Sequence, residues 1–152
     1  SLSSPVDYQA VWSANPTVAT SQAYLSIYGW VRGTPYIEYY IVDDYATFNP
    51  IFTNPTIIYT GTINSDGSPY DQGFETYIGT PRAPSGPGAP TGPVTIRRLW
   101  SVRQQKRSGG VVTVANHWAG WAGAGPIGTA HSWQIVAIEA FNTTGNAHVT
   151  VV

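Results

Sequence analysis

The segment Tyr36-Ile37-Glu38-Tyr39-Tyr40-Ile41-Val42 indicates which secondary structure dominates this chain. Isoleucine, valine and tyrosine suit the half-buried surface of a pleated sheet, and successive side chains of a strand point to opposite faces. This alternation places Glu38 and Tyr40 on one face and Tyr39 on the other. We therefore expect a strand that carries a carboxylate among aromatic rings.

The rest of the chain has the same bias toward strands. Its 152 residues include 17 Thr, 14 Val and 12 Ile but only three Leu, so residues that favour helices are scarce. Sixteen Gly and 12 Pro separate short apolar or alternating segments, as turns between many strands require. These segments are Tyr8–Trp12, Tyr24–Val31, Tyr36–Val42, Ile57–Ile63, Tyr70–Ile78, Val94–Arg103, Trp133–Asn142 and Ala147–Val152. The chain is predicted to form one all-β domain over residues 1–152.

Two local features add detail to this prediction. Asp66-Gly67 lies between two strand-like segments and predicts a two-residue hairpin turn. Asn116 is a good N-cap residue, and the spacing of Trp118, Trp121 and Ala122 predicts a short helix that packs on a sheet.

Charge and composition exclude several classes of function. Charged residues make up 10%, the net charge is −1 and Lys106 is the only lysine, which argues against a nucleic-acid partner. The absence of Cys excludes disulfides and thiol catalysis, and the three histidines are not clustered with acids, so we expect no metal site and no cofactor. No apolar run approaches the ~18 residues of a membrane span, and we expect no basic-then-apolar leader at Ser1. The low content of charged residues, together with 13% aromatic residues, favours a secreted protein with a neutral polar ligand.

Of the three glutamates, two interrupt strongly strand-like segments. Glu139 shares a strand face with Trp133, as Glu38 does with Tyr40. Such a residue can simply face solvent or guard a sheet edge. However, burial raises a carboxyl pKa, and paired carboxylates beside flat rings are what the hydrolysis of sugars needs. Glu75 is instead expected to be a strand-surface charge.

Neighbouring segments supply further candidates. Tyr28, Trp30 and Arg32 share one strand face, although core packing is the alternative role for Trp30. Arg98 and Trp100 share the face of another strand. Gly29 is expected to let a ring from an adjacent strand lie close to the backbone. Asp43-Asp44 is expected in a solvated turn.

A series of motifs along nearly the whole chain resembles family 11 glycoside hydrolases, which are secreted endo-β-1,4-xylanases. The motifs are Tyr28-Gly29-Trp30, Ile37-Glu38-Tyr39-Tyr40-Ile41-Val42, Ser65-Asp66-Gly67, Trp100-Ser101-Val102-Arg103-Gln104, Asn116-His117 and Gln134-Ile135-Val136-Ala137-Ile138-Glu139. The resemblance implies a β-jelly roll of two twisted antiparallel sheets that form a cleft, with one short α-helix. It also implies xylan or a xylo-oligosaccharide as the substrate.

The resemblance implies roles for individual residues. Glu38 would be the nucleophile and Glu139 the general acid/base of a retaining double displacement, which requires carboxyl groups about 5–5.5 Å apart. The substrate-binding residues would be Tyr28, Trp30, Arg32, Tyr40, Pro81, Arg98, Trp100 and Trp133. Residues 79–93 occupy the position of the family's thumb loop.

The sequence also departs from the family. The family's chains carry further residues before the segment that matches Tyr8, and these supply strands of both sheets and part of a cleft wall. Arg98 stands where the family has Gln, and Tyr77 stands where it has Arg. A permanent cation beside Glu38 or Glu139 favours the ionised carboxylate, which would impair a general acid.

These departures leave other hypotheses open. One is a xylanase-like protein with weak or no catalysis that acts as a carbohydrate-binding module or secreted effector. A second concerns assembly: a monomer is expected, but a swapped protomer or partner chain could complete the sheets, because open sheet edges invite pairing.

Overall fold

Strands account for most of the computed structural model, which describes residues 4–81, 90–128 and 131–152. The strands are β1 (Val6–Pro16), β2 (Gln22–Val31), β3 (Tyr36–Tyr45), β4 (Ile58–Ser65), β5 (Ser68–Gly79), β6 (Val94–Arg103), β7 (Gly109–Val112), β8 (His131–Phe141) and β9 (Thr143–Val151). The helices are α1 (Pro50–Thr53) and α2 (Val114–Gly120), and a 3-10 turn follows at Trp121–Ala124. The all-β prediction is confirmed.

The strands of the described residues form two sheets. The larger has the order β4-β5-β6-β3-β2-β8, and the smaller has the order β7-β1-β9. In the larger sheet all neighbouring strands pair antiparallel except β3 and β6, which run parallel. In the smaller sheet both pairs are antiparallel. The predicted antiparallel sheets are therefore confirmed except at the pair of β3 and β6, because the chain crosses over through β4 and β5 before β6 joins β3.

The core lies between the two sheets. Tyr8 of β1 and Val112 of β7 pack with Leu25 of β2 and Tyr39 of β3, and Trp121 closes the cluster. The opposite face of the larger sheet carries a second cluster with a different composition, rich in tyrosine and tryptophan. Since side chains alternate along each strand, one sheet can build the core with one face and present a polar, aromatic surface with the other.

The hairpin turn at Asp66-Gly67 and the short helix near Asn116 were both predicted from the sequence. Asp66 and Gly67 join β4 to β5 with φ values of 48° and 77°, which confirms the hairpin. The helix begins earlier than predicted, with Thr113 rather than Asn116 at the N-cap. Trp121 is buried as expected, but Ala122 is exposed.

One further local expectation is wrong, and two elements lie where glycine or proline suggests a turn. β7 contains Gly109-Gly110, which resemble a turn signal, but pairing with β1 holds them in a strand. α1 lies where Asn-Pro pairs indicate turns, and Asn49 caps it through a hydrogen bond to the Ile51 N–H. The side chain of Asp43 is buried rather than solvated.

The thumb-loop prediction for residues 79–93 falls largely on residues 82–89, which lie outside the described residues. None of the helices in residues 4–81, 90–128 and 131–152 is long and apolar enough to cross a membrane.

Candidate active site

Strand register brings the candidate residues together on one face of the larger sheet. Glu38 of β3 stands beside Arg98 of the parallel strand β6, and Tyr40 stands beside Trp100 in the same ladder. On the other side of β3, Tyr28 of β2 pairs with Tyr40. Residues at matching positions of neighbouring strands point the same way, so a local alternation in each strand becomes a continuous surface.

Glu38 is buried, with only 3% of its surface exposed, and both of its carboxylate oxygens accept hydrogen bonds. Oε1 accepts from the Tyr28 hydroxyl at 2.8 Å, and the Tyr40 hydroxyl lies 3.5 Å away, at the limit of a hydrogen bond. Oε2 accepts from the Tyr77 hydroxyl at 2.9 Å and from Arg98 Nε at 2.5 Å. These donors stabilise the charged carboxylate in a buried position.

Arg98 contacts a second carboxylate as well. Its Nη1 donates to Glu75 Oε1 at 3.0 Å, and its Nη2 donates to the Tyr77 hydroxyl at 2.9 Å. Burial alone would lower the pKa of Arg98, but the charge and hydrogen bond of Glu38 outweigh burial and raise this pKa above its usual value. The guanidinium is therefore a permanent cation at this site.

The second candidate carboxylate reaches the same space from the edge strand β8. Glu139 pairs with Tyr24 of β2 in the antiparallel ladder and is partly exposed. Glu38 and Glu139 both line a cavity of about 500 Å³. The other lining residues are Tyr24, Tyr28, Tyr40, Asn54, Tyr77, Gly79, Thr80, Arg98, Trp100 and Phe141. Two carboxylates from different strands thus face one open space.

Aromatic rings form one wall of this cavity. Tyr40 and Trp100 stack with centroids 4.4 Å apart and planes 11° apart, and Tyr24 meets Trp100 edge-on at 5.8 Å. An adjoining cavity of about 310 Å³ shares Tyr24, Asn54 and Trp100 with the first. The second cavity therefore adjoins the first at these residues and extends to Pro50 and Thr53 of α1.

The tyrosines of the cavity remain protonated donors. Burial, followed by the negative charge of Glu38, raises the pKa of Tyr28 and that of Tyr40 above the usual value. Burial and the charge of Glu139 raise the pKa of Tyr24 to about 12. At neutral pH each hydroxyl can donate a hydrogen bond to a carboxylate or to a ligand oxygen.

Not every predicted site residue lines this cavity. Glu38, Glu139, Tyr28, Tyr40, Arg98 and Trp100 do so. Trp30 is 1% exposed and reaches the site only through its Nε1, which donates to the Tyr28 hydroxyl at 2.7 Å. Trp133 packs edge-on against Tyr28 at 5.4 Å. Arg32 and Pro81, like Trp30 and Trp133, are outside the lining residues, and direct substrate contact by these four remains a prediction.

The sequence prediction also missed residues that the fold brings to the site. Tyr77, Tyr24 and Asn54 line the cavity, and Glu75 binds Arg98. The expectation of a surface charge at Glu75 is wrong, because Glu75 pairs directly with Arg98 across the antiparallel ladder of β5 and β6. Alternation places Glu75 and Tyr77 on one face of their strand, but it does not reveal which strand lies beside them.

Comparisons with known proteins show which family the chain resembles. Residues 3–150 match the profile described as Glycosyl hydrolases family 11. The chain is 40% identical over 134 residues to endo-1,4-beta-xylanase 1 of Aureobasidium pullulans, covering 88% of this chain and 57% of that protein. It is 36% identical over 132 residues to the ethylene-inducing xylanase of Penicillium digitatum, covering 87% of this chain and 56% of that protein.

A solved endo-1,4-beta-xylanase structure from Trichoderma reesei superposes with a TM-score of 0.77 at 31% identity, covering 99% of this chain and 75% of that one. The match supports the predicted jelly roll. The chain spans a little over half the length of the two curated relatives. With a family profile matched from residue 3 to residue 150 and the two-sheet fold in place, the chain belongs to glycosyl hydrolase family 11.

Proposed function

We propose that this chain forms the catalytic part of an endo-β-1,4-xylanase that acts by a retaining double displacement. The observation that carries the proposal is that Glu38 and Glu139, from strands β3 and β8, line one cavity. Retaining glycosidases need one carboxylate as nucleophile and a second carboxyl group as acid and then base. The relatives quoted above are named xylanases, which supports xylan as the polysaccharide.

Glu38 is the nucleophile in this proposal. In the first step Glu38 forms a bond to the anomeric carbon while the glycosidic C–O bond breaks, and Glu139 gives its proton to the leaving oxygen. In the second step water attacks the same carbon and gives a proton to Glu139, and the bond to Glu38 breaks with its electrons returning to the carboxylate. The two displacements together retain the anomeric configuration.

The contacts of Glu38 support this division of roles. A carboxylate oxygen offers about two lone-pair sites, and Oε2 accepts from both Tyr77 and Arg98. Oε1 accepts one short bond from Tyr28, and its second contact, with Tyr40, is at 3.5 Å. We therefore assign the attack to Oε1. Arg98 forms an ion pair with Glu38, which places a positive charge beside the proposed nucleophile.

The aromatic wall suits a neutral chain of sugar rings. The Tyr40–Trp100 stack and the adjoining cavity give a flat surface beyond the reacting position, and tyrosine hydroxyls supply donors without charge. A polymer too large to enter a cell must be cut outside it, so we propose that the protein acts in the extracellular space.

The test uses purified protein on xylan with reducing ends as the readout. Glu38→Gln is expected to lower turnover by at least about 10⁴-fold while xylan binding persists, because the amide cannot form the glycosyl ester. Asp71→Asn serves as the matched control, because this buried carboxylate is on another strand and bonds Gln104 and Asn49 instead of the cleft residues. Proton NMR of the first product should show the β anomer.

Two results would overturn the proposal. If hydrolysis persists in Glu38→Gln, Glu38 is not the nucleophile. If the first product is the α anomer, the reaction inverts the anomeric configuration and does not retain it. Binding of xylan with no product from the unaltered protein would instead favour the binding-module hypothesis.

A further inference from the structure

Three neighbouring strands place one carboxylate on each side of the Arg98 guanidinium. Glu75 of β5 stands directly opposite Arg98 of β6, and Arg98 stands directly beside Glu38 of β3. Arg98 reaches Glu75 Oε1 through Nη1 at 3.0 Å and Glu38 Oε2 through Nε at 2.5 Å. The Tyr77 hydroxyl accepts from Arg98 and donates to Glu38, so it fixes the angle between them.

Glu75 is held in place from its other side. Its Oε2 accepts from the Thr56 hydroxyl at 2.5 Å, and the Thr56 backbone N–H donates to Asn54 Oδ1 at 3.0 Å. Glu75 is 8% exposed, so water screens its charge little. The carboxylate is therefore a fixed anion on the far side of Arg98 from the nucleophile.

This arrangement addresses the difficulty that Arg98 raises for a nucleophile. A guanidinium that paired with Glu38 alone would neutralise the charge of the carboxylate. It would also lower the nucleophilicity of the Glu38 oxygens, because opposite charges at this distance stabilise the ionised form strongly. A second carboxylate on the same guanidinium offsets that effect. The guanidinium of arginine carries five N–H donors, so Nε can bind Glu38 while Nη1 binds Glu75.

We propose that Glu75 is a positioning residue for the nucleophile: it shares the charge of Arg98, so that the guanidinium orients Glu38 without fully neutralising it. The proposal rests on the proposed function in taking Glu38 as the nucleophile. When Glu38 becomes an uncharged ester, Glu75 also remains as the anion that keeps Arg98 paired. The covalent intermediate then does not leave the half-buried Arg98 cation without a partner.

The charged and titratable groups around Glu38 come from every strand beside it. They are Tyr28 on β2, Tyr40 on β3 itself, Glu75 and Tyr77 on β5, Arg98 on β6, and Glu139 across the cavity on β8. Of these, Glu75 is the one whose replacement by an amide removes a negative charge from the guanidinium and leaves the direct contacts of Glu38 intact.

The experiment is a carbon-13 NMR titration of protein labelled at the glutamate carboxyls. The chain has three glutamates, so three resonances are expected and each is assigned by one Glu→Gln variant. In Glu75→Gln the titration midpoint of Glu38 should move to lower pH by about 0.5–1 unit, because Arg98 then acts on Glu38 alone. In Arg98→Gln it should move to higher pH, because two carboxylates then repel each other.

Asp71→Asn is the matched control, since it makes the same chemical change on the same face of β5 without touching Arg98. It should leave the Glu38 midpoint unchanged. If Glu75→Gln moves that midpoint to higher pH, Glu75 merely holds Arg98 in place, and the proposal is wrong. No movement would also overturn it.

The unaltered protein gives a second measurement that needs no variant. Because Glu38 and Glu75 share one guanidinium, the curve of each should show an inflection where the other titrates. Two independent single-step curves would contradict the proposal even if a variant failed to fold.

Kinetics separate this inference from the proposed function. If the protein hydrolyses xylan, Glu75→Gln should lower kcat about tenfold with KM within about twofold, and the acid limb of the kcat/KM profile should follow the Glu38 midpoint. If the protein hydrolyses nothing, the proposed function fails, and the NMR midpoints still decide whether Glu75 shares the charge of Arg98.

Discussion

The phenol ring of Tyr39 lies against the backbone of Gly29, at the position where β3 and β2 pair directly. A Cβ added at Gly29 would meet the ring at 2.5 Å from Cζ and 2.7 Å from Cε1. The Tyr39 hydroxyl also lies 2.6 Å from His131 Nε2 and donates to Gln134 Oε1 at 2.9 Å, so the ring cannot move without breaking these bonds. The sequence expectation of a ring against Gly29 is confirmed.

Gly29→Ala should therefore destabilise the fold. The extra methyl group must displace a buried ring, and overpacking of this kind costs about 1–3 kcal/mol. Urea unfolding should show this loss in the free energy of unfolding. Gly92→Ala is the control, because a Cβ there meets nothing within 4 Å. Equal stability of the two variants would show that Tyr39 can shift freely.

Tyr28→Phe should affect both activity and stability. The hydroxyl donates to Glu38 Oε1 and accepts from Trp30 Nε1, so its loss removes a bond to the proposed nucleophile Glu38 and leaves a buried N–H without its acceptor. We expect kcat on xylan to fall about 10- to 100-fold and the free energy of unfolding to fall by about 1–2 kcal/mol.

A double variant tests the stability part of that prediction. Trp30→Phe removes the N–H, so adding it to Tyr28→Phe should cost less stability than it costs in the unaltered protein. Additive losses would mean that the Trp30 bond to Tyr28 contributes nothing.

His117 should make the fold sensitive to acid. Burial lowers the pKa of His117 to about 3, and its Nδ1 lies 2.8 Å from the Ser101 hydroxyl. In the unfolded chain this imidazole binds a proton near pH 6.5, so between about pH 6.5 and pH 3 the unfolded state holds one more proton than the folded state. The free energy of unfolding should then fall by about 1.4 kcal/mol for each pH unit of acidification in this window.

His117→Asn should flatten that dependence while lowering stability at neutral pH. The amide can replace Nδ1 as a partner of Ser101 but does not titrate. His148→Asn, an exposed change on β9, should leave the slope as it is. A slope that persists in His117→Asn would assign the acid sensitivity to other groups.

Asp43 should be a major source of stability between the sheets. It is 1% exposed and accepts from the Tyr8 hydroxyl of β1, the Tyr70 hydroxyl of β5 and Arg107 Nε. Asp43→Asn leaves the Arg107 cation without its carboxylate partner and should cost about 3 kcal/mol in chemical denaturation. Asp44→Asn, next in sequence, affects a partly exposed carboxylate that bonds Trp12 Nε1 at 3.1 Å, and should cost less than about 1 kcal/mol. Similar losses in both variants would contradict a special role for Asp43.

The alternation of side chains along each strand correctly predicted which residues share a face of the sheet. Glu38 shares a face with Tyr40, and Arg98 shares one with Trp100, as the period of two requires. Motif resemblance then identified the family, because the motifs extend along nearly the whole chain. The predictions that failed concern burial: neither Asp43 nor Glu75 differs in local sequence from an exposed acid, and each is buried by partners from other strands.

The sequence by itself determined the strand character of the chain, the face on which each side chain points and the hairpin at Asp66-Gly67, because these follow from short-range backbone geometry. Only the tertiary structure decided that β6 lies between β5 and β3, and so that Arg98 stands between Glu75 and Glu38. Strand order and register depend on which faces become buried against each other across long stretches of chain, and alternation within one strand is compatible with many such pairings.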